Sequence, residues 1–194
     1  MKRTCLFLLV LAAFAASISA QNNAPSKPVA IRVGGGEFRA EVDTRPRMVV
    51  PVAMVASSVF KNSAPAERTA FDLINAKRIE RGLKPLEWNN KLLSVARLHS
   101  QSMAEYDFFS HKGIDGKYVS DRADLMNIGD WDSIGENIAF NRGFDDPVTK
   151  AVNLWLKSPS HFNNIMNANW KETAIGIAIR EDGSYYFTQV FLHR

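Results

Sequence analysis

Two apolar, β-prone runs, Ala174-Ile175-Gly176-Ile177-Ala178-Ile179 and Tyr186-Phe187-Thr188-Gln189-Val190-Phe191, flank the dipeptide Asp182-Gly183. Asp-Gly between such runs is a strong short-range hairpin signal, because the tight turn it favours needs positive φ, which glycine adopts without a Cβ clash. An antiparallel pair therefore closes the chain. The 100 or so residues before it carry helical spacing, so helices come first and strands later, with no β-α-β alternation. That order predicts an α+β domain with helices on an antiparallel sheet.

Helical periodicity begins after Pro65. Phe71, Leu73, Ile74 and Ile79 cluster on one side of residues 66–81, and Gly82 supplies a helix C-cap. Pro85-Leu86-Glu87-Trp88 reads as a short extended link, after which Asn89 or Asn90 caps a helix to about Tyr106 with the stripe Leu92, Val95, Ala96, His99, Met103. A short helix at Asp121 to Met126 precedes a glycine-rich join at Gly129 and Gly135. Asp145 or Asp146 before Pro147 starts a helix whose apolar face is Val148, Ala151, Val152 and Trp155, and Ser158-Pro159-Ser160 restarts a last short one to Met166.

The N-terminus joins Met1-Lys2-Arg3 to an apolar run from Cys5 to Ala16 and the small-residue stretch ending at Ala20, the pattern of a secretory signal. The run falls short of the roughly 20 apolar residues a spanning helix needs, and the following Gln21-Asn22-Asn23 is no stop-transfer cluster. Residues 1–20 are thus expected to be removed, leaving a secreted or periplasmic protein with no stable membrane span. Cys5 stands too early in the run for lipidation. Because it is the single cysteine, the mature protein has no disulfide in a compartment that permits them, which fits a bacterial source better than an animal or plant one. Loss of Lys2 and Arg3 lowers the formal charge from +4 to +2, and no stretch concentrates Lys and Arg, so nucleic acid is a poor partner. Residues 21–65 mix Pro, Gly, Ser and Ala with β-prone pieces such as Ala30-Ile31-Arg32-Val33 and Phe38-Arg39-Ala40-Glu41-Val42. Pro51 denies Val49-Val50-Pro51-Val52 a central-strand role. This stretch reads as a partly ordered leader or linker, and 66–194 as the folded domain.

Phe109-Ser110-His111, Gly135-Glu136-Asn137-Ile138-Ala139, the stretch from Leu154 to Met166 (LWLKSPSHFNNIM) and Thr188-Gln189-Val190-Phe191, in that order, resemble the CAP superfamily, named for cysteine-rich secretory proteins, antigen 5 and pathogenesis-related type 1 proteins, and its bacterial members in particular. Each motif alone is weak; four in order are specific. The resemblance implies a three-layer α-β-α sandwich with a central antiparallel sheet and a cleft lined by two histidines and two acids. His111 and Glu136 match the first histidine and the acid of the Gly-Glu-Asn motif. The second acid's position looks like Ser158 and the second histidine's like Tyr186, so the eukaryotic-type set is incomplete. His161 resembles the histidine of the bacterial Ser-Pro-x-His stretch and is expected in the same cleft.

A cleft holding His111, Glu136 and His161 could bind a borderline metal such as zinc, since imidazole nitrogens and a carboxylate are suitable donors. Their spacing gives no independent support. The same trio could run acid/base chemistry, but a nucleophile is lacking: there is no mature cysteine, and Ser110 and Ser158 sit in no nucleophile-elbow context. Read without the resemblance, His111 beside two Phe residues is a structural histidine and Glu136 a loop-fixing carboxylate. His99 falls on a buried stripe and reads as packing, His193 as a tail residue, Trp88 and Trp155 as core; Phe108 and Phe109 pack in the core or line a lipid groove. The leading expectation is a non-catalytic binding module for a divalent metal or a small or extended extracytoplasmic ligand. The alternatives are a metal-assisted hydrolase of an envelope polymer or peptide, and a lipid or sterol carrier.

Overall fold

The computed structural model describes residues 60–194 and the strand Val29–Gly34; residues 1–20, expected to be a secretory signal, Phe38–Val42 and Val49–Val52 lie outside the described residues. In chain order the elements are β1 (Val29–Gly34), α1 (Ala64–Glu80), β2 (Glu87–Trp88), α2 (Asn90–Glu105), α3 (Val119–Leu125), β3 (Ser133–Arg142), α4 (Pro147–Lys157), α5 (Pro159–Met166), β4 (Glu172–Ile179) and β5 (Ser184–His193). The strands form one sheet in the order β1-β3-β5-β4-β2, antiparallel except where two-residue β2 runs parallel to β4. Ala30-Ile31-Arg32-Val33 falls within β1, which pairs with the outer edge of β3.

The Asp182-Gly183 turn forms as the sequence predicts. Gly183 has φ +80°, its N–H donates to the Arg180 carbonyl at 3.1 Å, and Ile179 lies opposite Tyr185. Along β4 and β5 the faces alternate. Ile175, Ile177, Phe187 and Phe191 meet α1, α4 and α5 around fully buried Trp155. Ala174, Val190 and Leu192 face Leu92, Val95 and Ala96 of α2 and Val119 and Ala123 of α3. The result is helix, sheet, helix in three layers.

The approach of α2 depends on Gly176: a Cβ there would lie 2.2 Å from the Arg97 backbone nitrogen, so only a residue without one lets helix and strand touch. Asn89 proves to be the α2 cap, its side chain accepting from the Lys91 and Leu92 N–H groups at 2.8 and 3.2 Å. Asp146 does the same for α4 through Thr149 N at 3.0 Å.

Two expectations need correction. Ile79, placed on the apolar face of α1, is 59% exposed; the face that packs runs through Glu67, Ala70, Ile74 and Arg78, and Ile79 is turned about 100° away from Arg78. The glycine-rich join around Gly135 is instead the long inner strand β3. The sequence hides this strand because polar Glu136, Asn137 and Asn141 are all buried, on both faces, where a half-buried strand would show apolar residues on one side only.

Candidate functional site

At the end of α2 the chain reverses through Asp107, which adopts φ +52°. The loop that follows is drawn back onto the helix by His99, whose Nε2 lies 2.9 Å from the Ser110 carbonyl. This places His111 over β3. There its Nδ1 is 2.8 Å from Oε1 of Glu136, the acid of the Gly-Glu-Asn motif. The other carboxylate oxygen, Oε2, accepts from Arg122 Nη2 at 2.5 Å. Arg122 also donates through Nη1 to the carbonyls of Lys117 at 2.9 Å and His111 at 3.3 Å, so one guanidinium fixes both the carboxylate and the main chain of its imidazole partner. His99 Nε2 stands 4.0 Å from Glu136 Oε1.

Exposure is graded within this cluster. The Glu136 side chain is 0% exposed, that of Arg122 5% and that of His111 17%. Burial alone would raise the Glu136 pKa, but Arg122, with help from His111 and His99, holds it below the usual carboxylate value. The group is therefore an anion at neutral pH. Burial pushes His99 down to about 4, against the pull of Glu136, so this imidazole is neutral.

Of the five residues expected together, His111 and Glu136 meet. His161 and Ser158 form a second pair: His161 Nδ1 lies 2.8 Å from Ser158 Oγ and 3.2 Å from Ser160 Oγ, while the His161 carbonyl accepts from Asn137 on the sheet face opposite the Glu136 carboxylate. Tyr186 is on the Glu136 face but two cross-strand steps along, beside Phe140 and 3.4 Å from Asp107 Oδ1 through its hydroxyl. Among the described residues no three His, Cys, Asp or Glu side chains are arranged to hold a metal ion.

Glu136 is not placed as a zinc ligand. Both Glu136 oxygens are engaged, and an ion on Oε2 would stand beside a guanidinium. Two unit charges about 4 Å apart at an effective dielectric of about 20 repel by about 4 kcal/mol, and a divalent ion roughly doubles that.

Sequence reasoning missed Arg122 and read His99 as packing alone. A signal was available. Arg122 sits on the buried side of α3 with Val119 and Ala123, and an arginine there calls for a buried carboxylate nearby. Trp88, expected in the core, is half-buried, with the Arg68 guanidinium 4.6 Å over its ring and Phe71 edge-on at 5.2 Å.

The chain is 35% identical over 156 residues to the membrane protein YlbC of Bacillus subtilis and 35% identical over 136 residues to YkwD of the same organism. These matches take in 79% and 67% of this chain but only 42% and 50% of the relatives, so the chain spans about half or less of their length. An extracellular protein of Bacillus anthracis containing an SCP domain superposes with a TM-score of 0.58 at 27% identity, over 68% of this chain and 41% of that one. An outer surface protein of Borrelia burgdorferi shares the fold at 21% identity, with a TM-score of 0.61 over 70% of this chain and 97% of that one. The family model for the Cysteine-rich secretory protein family, CAP, matches residues 71–191, from within α1 to near the end of β5. The chain belongs to the CAP family.

Proposed function

We propose that this chain works outside the cytoplasm as a non-catalytic binding module, and that its His111–Glu136 cluster contacts a small or extended organic ligand. The observation that carries this is the grading of exposure. Glu136 and Arg122 are buried and bonded to each other, and His111 is the member of the cluster with appreciable solvent contact, so it is the group a ligand reaches first. Location outside the cytoplasm is supported by the secretory pattern of residues 1–20 and by relatives described as extracellular or outer-surface proteins. No helix among the described residues is long and apolar enough to cross a membrane. The test is to immobilise the chain lacking residues 1–20, expose it to defined peptides and envelope-polymer fragments, and repeat with His111→Ala. Retention by the parent that the variant loses supports the reading; equal retention removes the cluster from it.

A hydrolytic reading has one observation in its favour. Ser158 Oγ lies 2.8 Å from His161 Nδ1, within the distance at which an imidazole can take a hydroxyl proton. It requires turnover that disappears in both Ser158→Ala and His161→Ala and is indifferent to zinc.

A further inference from the structure

The CAP resemblance implies a cleft whose acid could serve a metal ion, and the geometry of this chain points elsewhere. We propose that Arg122 is the resident cation of the His/Glu cluster: it occupies the place of a metal ion on Glu136, so the site as built takes organic rather than metal ligands. The proposal deepens the binding-module reading by restricting what that same site accepts.

Three features carry it. A metal ligand needs a lone pair directed at an accessible point, yet the Glu136 side chain is wholly buried, with Oε1 2.8 Å from His111 Nδ1 and Oε2 accepting from Arg122 Nη2 at 2.5 Å. The cation is also fixed in place. Arg122 reaches the Lys117 and His111 carbonyls through Nη1, so swinging it away would strand two part-buried acceptors together with the buried carboxylate. Finally, the planar guanidinium presents its N–H donors in a fixed fork, so one side chain holds the carboxylate and both carbonyls at once.

Glu136 then serves as the support of His111. An ionised carboxylate accepts only, so the imidazole nitrogen facing it must carry the proton, and Arg122 fixes the position of that acceptor. Arg122 and Glu136 are in this account positioning residues, and His111 is the group that touches ligand.

The experiment is a zinc titration by calorimetry of the metal-stripped chain lacking residues 1–20, beside Arg122→Gln, Arg122→Lys and Arg122→Gln/Glu136→Gln. The parent and Arg122→Lys are expected to show no zinc binding that His111→Ala removes. Arg122→Gln should gain affinity by at least tenfold, and the double variant should lose that gain. Micromolar zinc binding by the parent, abolished by both His111→Ala and Glu136→Gln, overturns the proposal while leaving the His111 contact with organic ligands standing. A folded Arg122→Gln that gains nothing overturns it as well. Should Arg122→Gln not fold, the His111 ring resonances of the parent decide: unchanged in micromolar zinc if Arg122 holds the site, shifted if it does not.

Discussion

Among the described residues two carboxylates are buried, each facing an arginine at 2.5 Å, and they do different work. Glu67 in α1 accepts from Arg97 Nε and Nη2 of α2, from Ser63 Oγ and from the Ile177 N–H, so it ties two helices to the edge of β4. Three of its bonds reach side chains that do not titrate near neutrality and one reaches the backbone. Glu136 accepts from Arg122 and His111, with a second imidazole, His99, 4.0 Å away. The exposed end of the first unit is the arginine, 38% exposed at its side chain; that of the second is an imidazole. A buried carboxylate whose exposed partner is a permanently charged arginine is a staple. One whose exposed partner is a histidine presents a group that can exchange protons or hydrogen bonds with a ligand.

The comparison can be broken first at the arginines. Arg122→Met leaves Glu136 buried without its cation and should cost about 3–5 kcal/mol in urea unfolding. A loss below about 1 kcal/mol would show that the carboxylate does not depend on this pair. The next effect is on pH dependence. Burial lowers His99 from 6.5 to about 4, so the unfolded chain binds the proton first as pH falls. Stability from this group is complete above pH 6.5 and declines between 6.5 and 4, by about 3 kcal/mol at one pKa unit per 1.36 kcal/mol. Glu136, held below its ordinary value, adds a loss in the same direction at lower pH. Unfolding midpoints at pH 7, 5.5 and 4.5 should trace that decline, and His99→Gln should flatten it; an unchanged slope in the variant assigns the pH dependence to other groups.

Arg97→Met sharpens the contrast from the other side. Glu67 keeps Ser63 and the Ile177 amide, and Arg97 is partly exposed, so the loss should be about 1–3 kcal/mol, smaller than for Arg122→Met. The smallest effect belongs to His111→Ala. Glu136 retains Arg122, and thermal or urea unfolding should register a change of about 0.5–1.5 kcal/mol. A loss as large as that of Arg122→Met would make His111 a structural residue instead.

The fold was legible where one physical signal dominated. The β4-β5 turn announced itself through Asp182-Gly183, and the α2 and α4 starts through Asn89 and Asp146. Strand β3 was not legible, because the site lies within it: burying Glu136 and Asn137 on opposite faces removes the alternation that marks a strand. His111 and Glu136 were found through motif order. Their mutual contact is a tertiary fact that a separation of 25 residues cannot reveal. His161 is held by Ser158 and Ser160 at the start of its own helix, and its carbonyl accepts from Asn137, the strand residue next to Glu136. Arg122 is not legible in the sequence because the short helix α3 has too few residues for its buried side to stand out by periodicity.

The most direct test of the Arg122–Glu136–His111 arrangement is a long-range proton–nitrogen NMR spectrum of the His111 ring, recorded from pH 5 to 8 on the chain lacking residues 1–20. With Glu136 ionised and its Oε1 2.8 Å from Nδ1, neutral His111 must carry its proton on Nδ1, and Glu136→Gln should shift both its tautomer balance and its titration midpoint. A neutral His111 protonated on Nε2, with a midpoint unmoved by Glu136→Gln, would contradict the account.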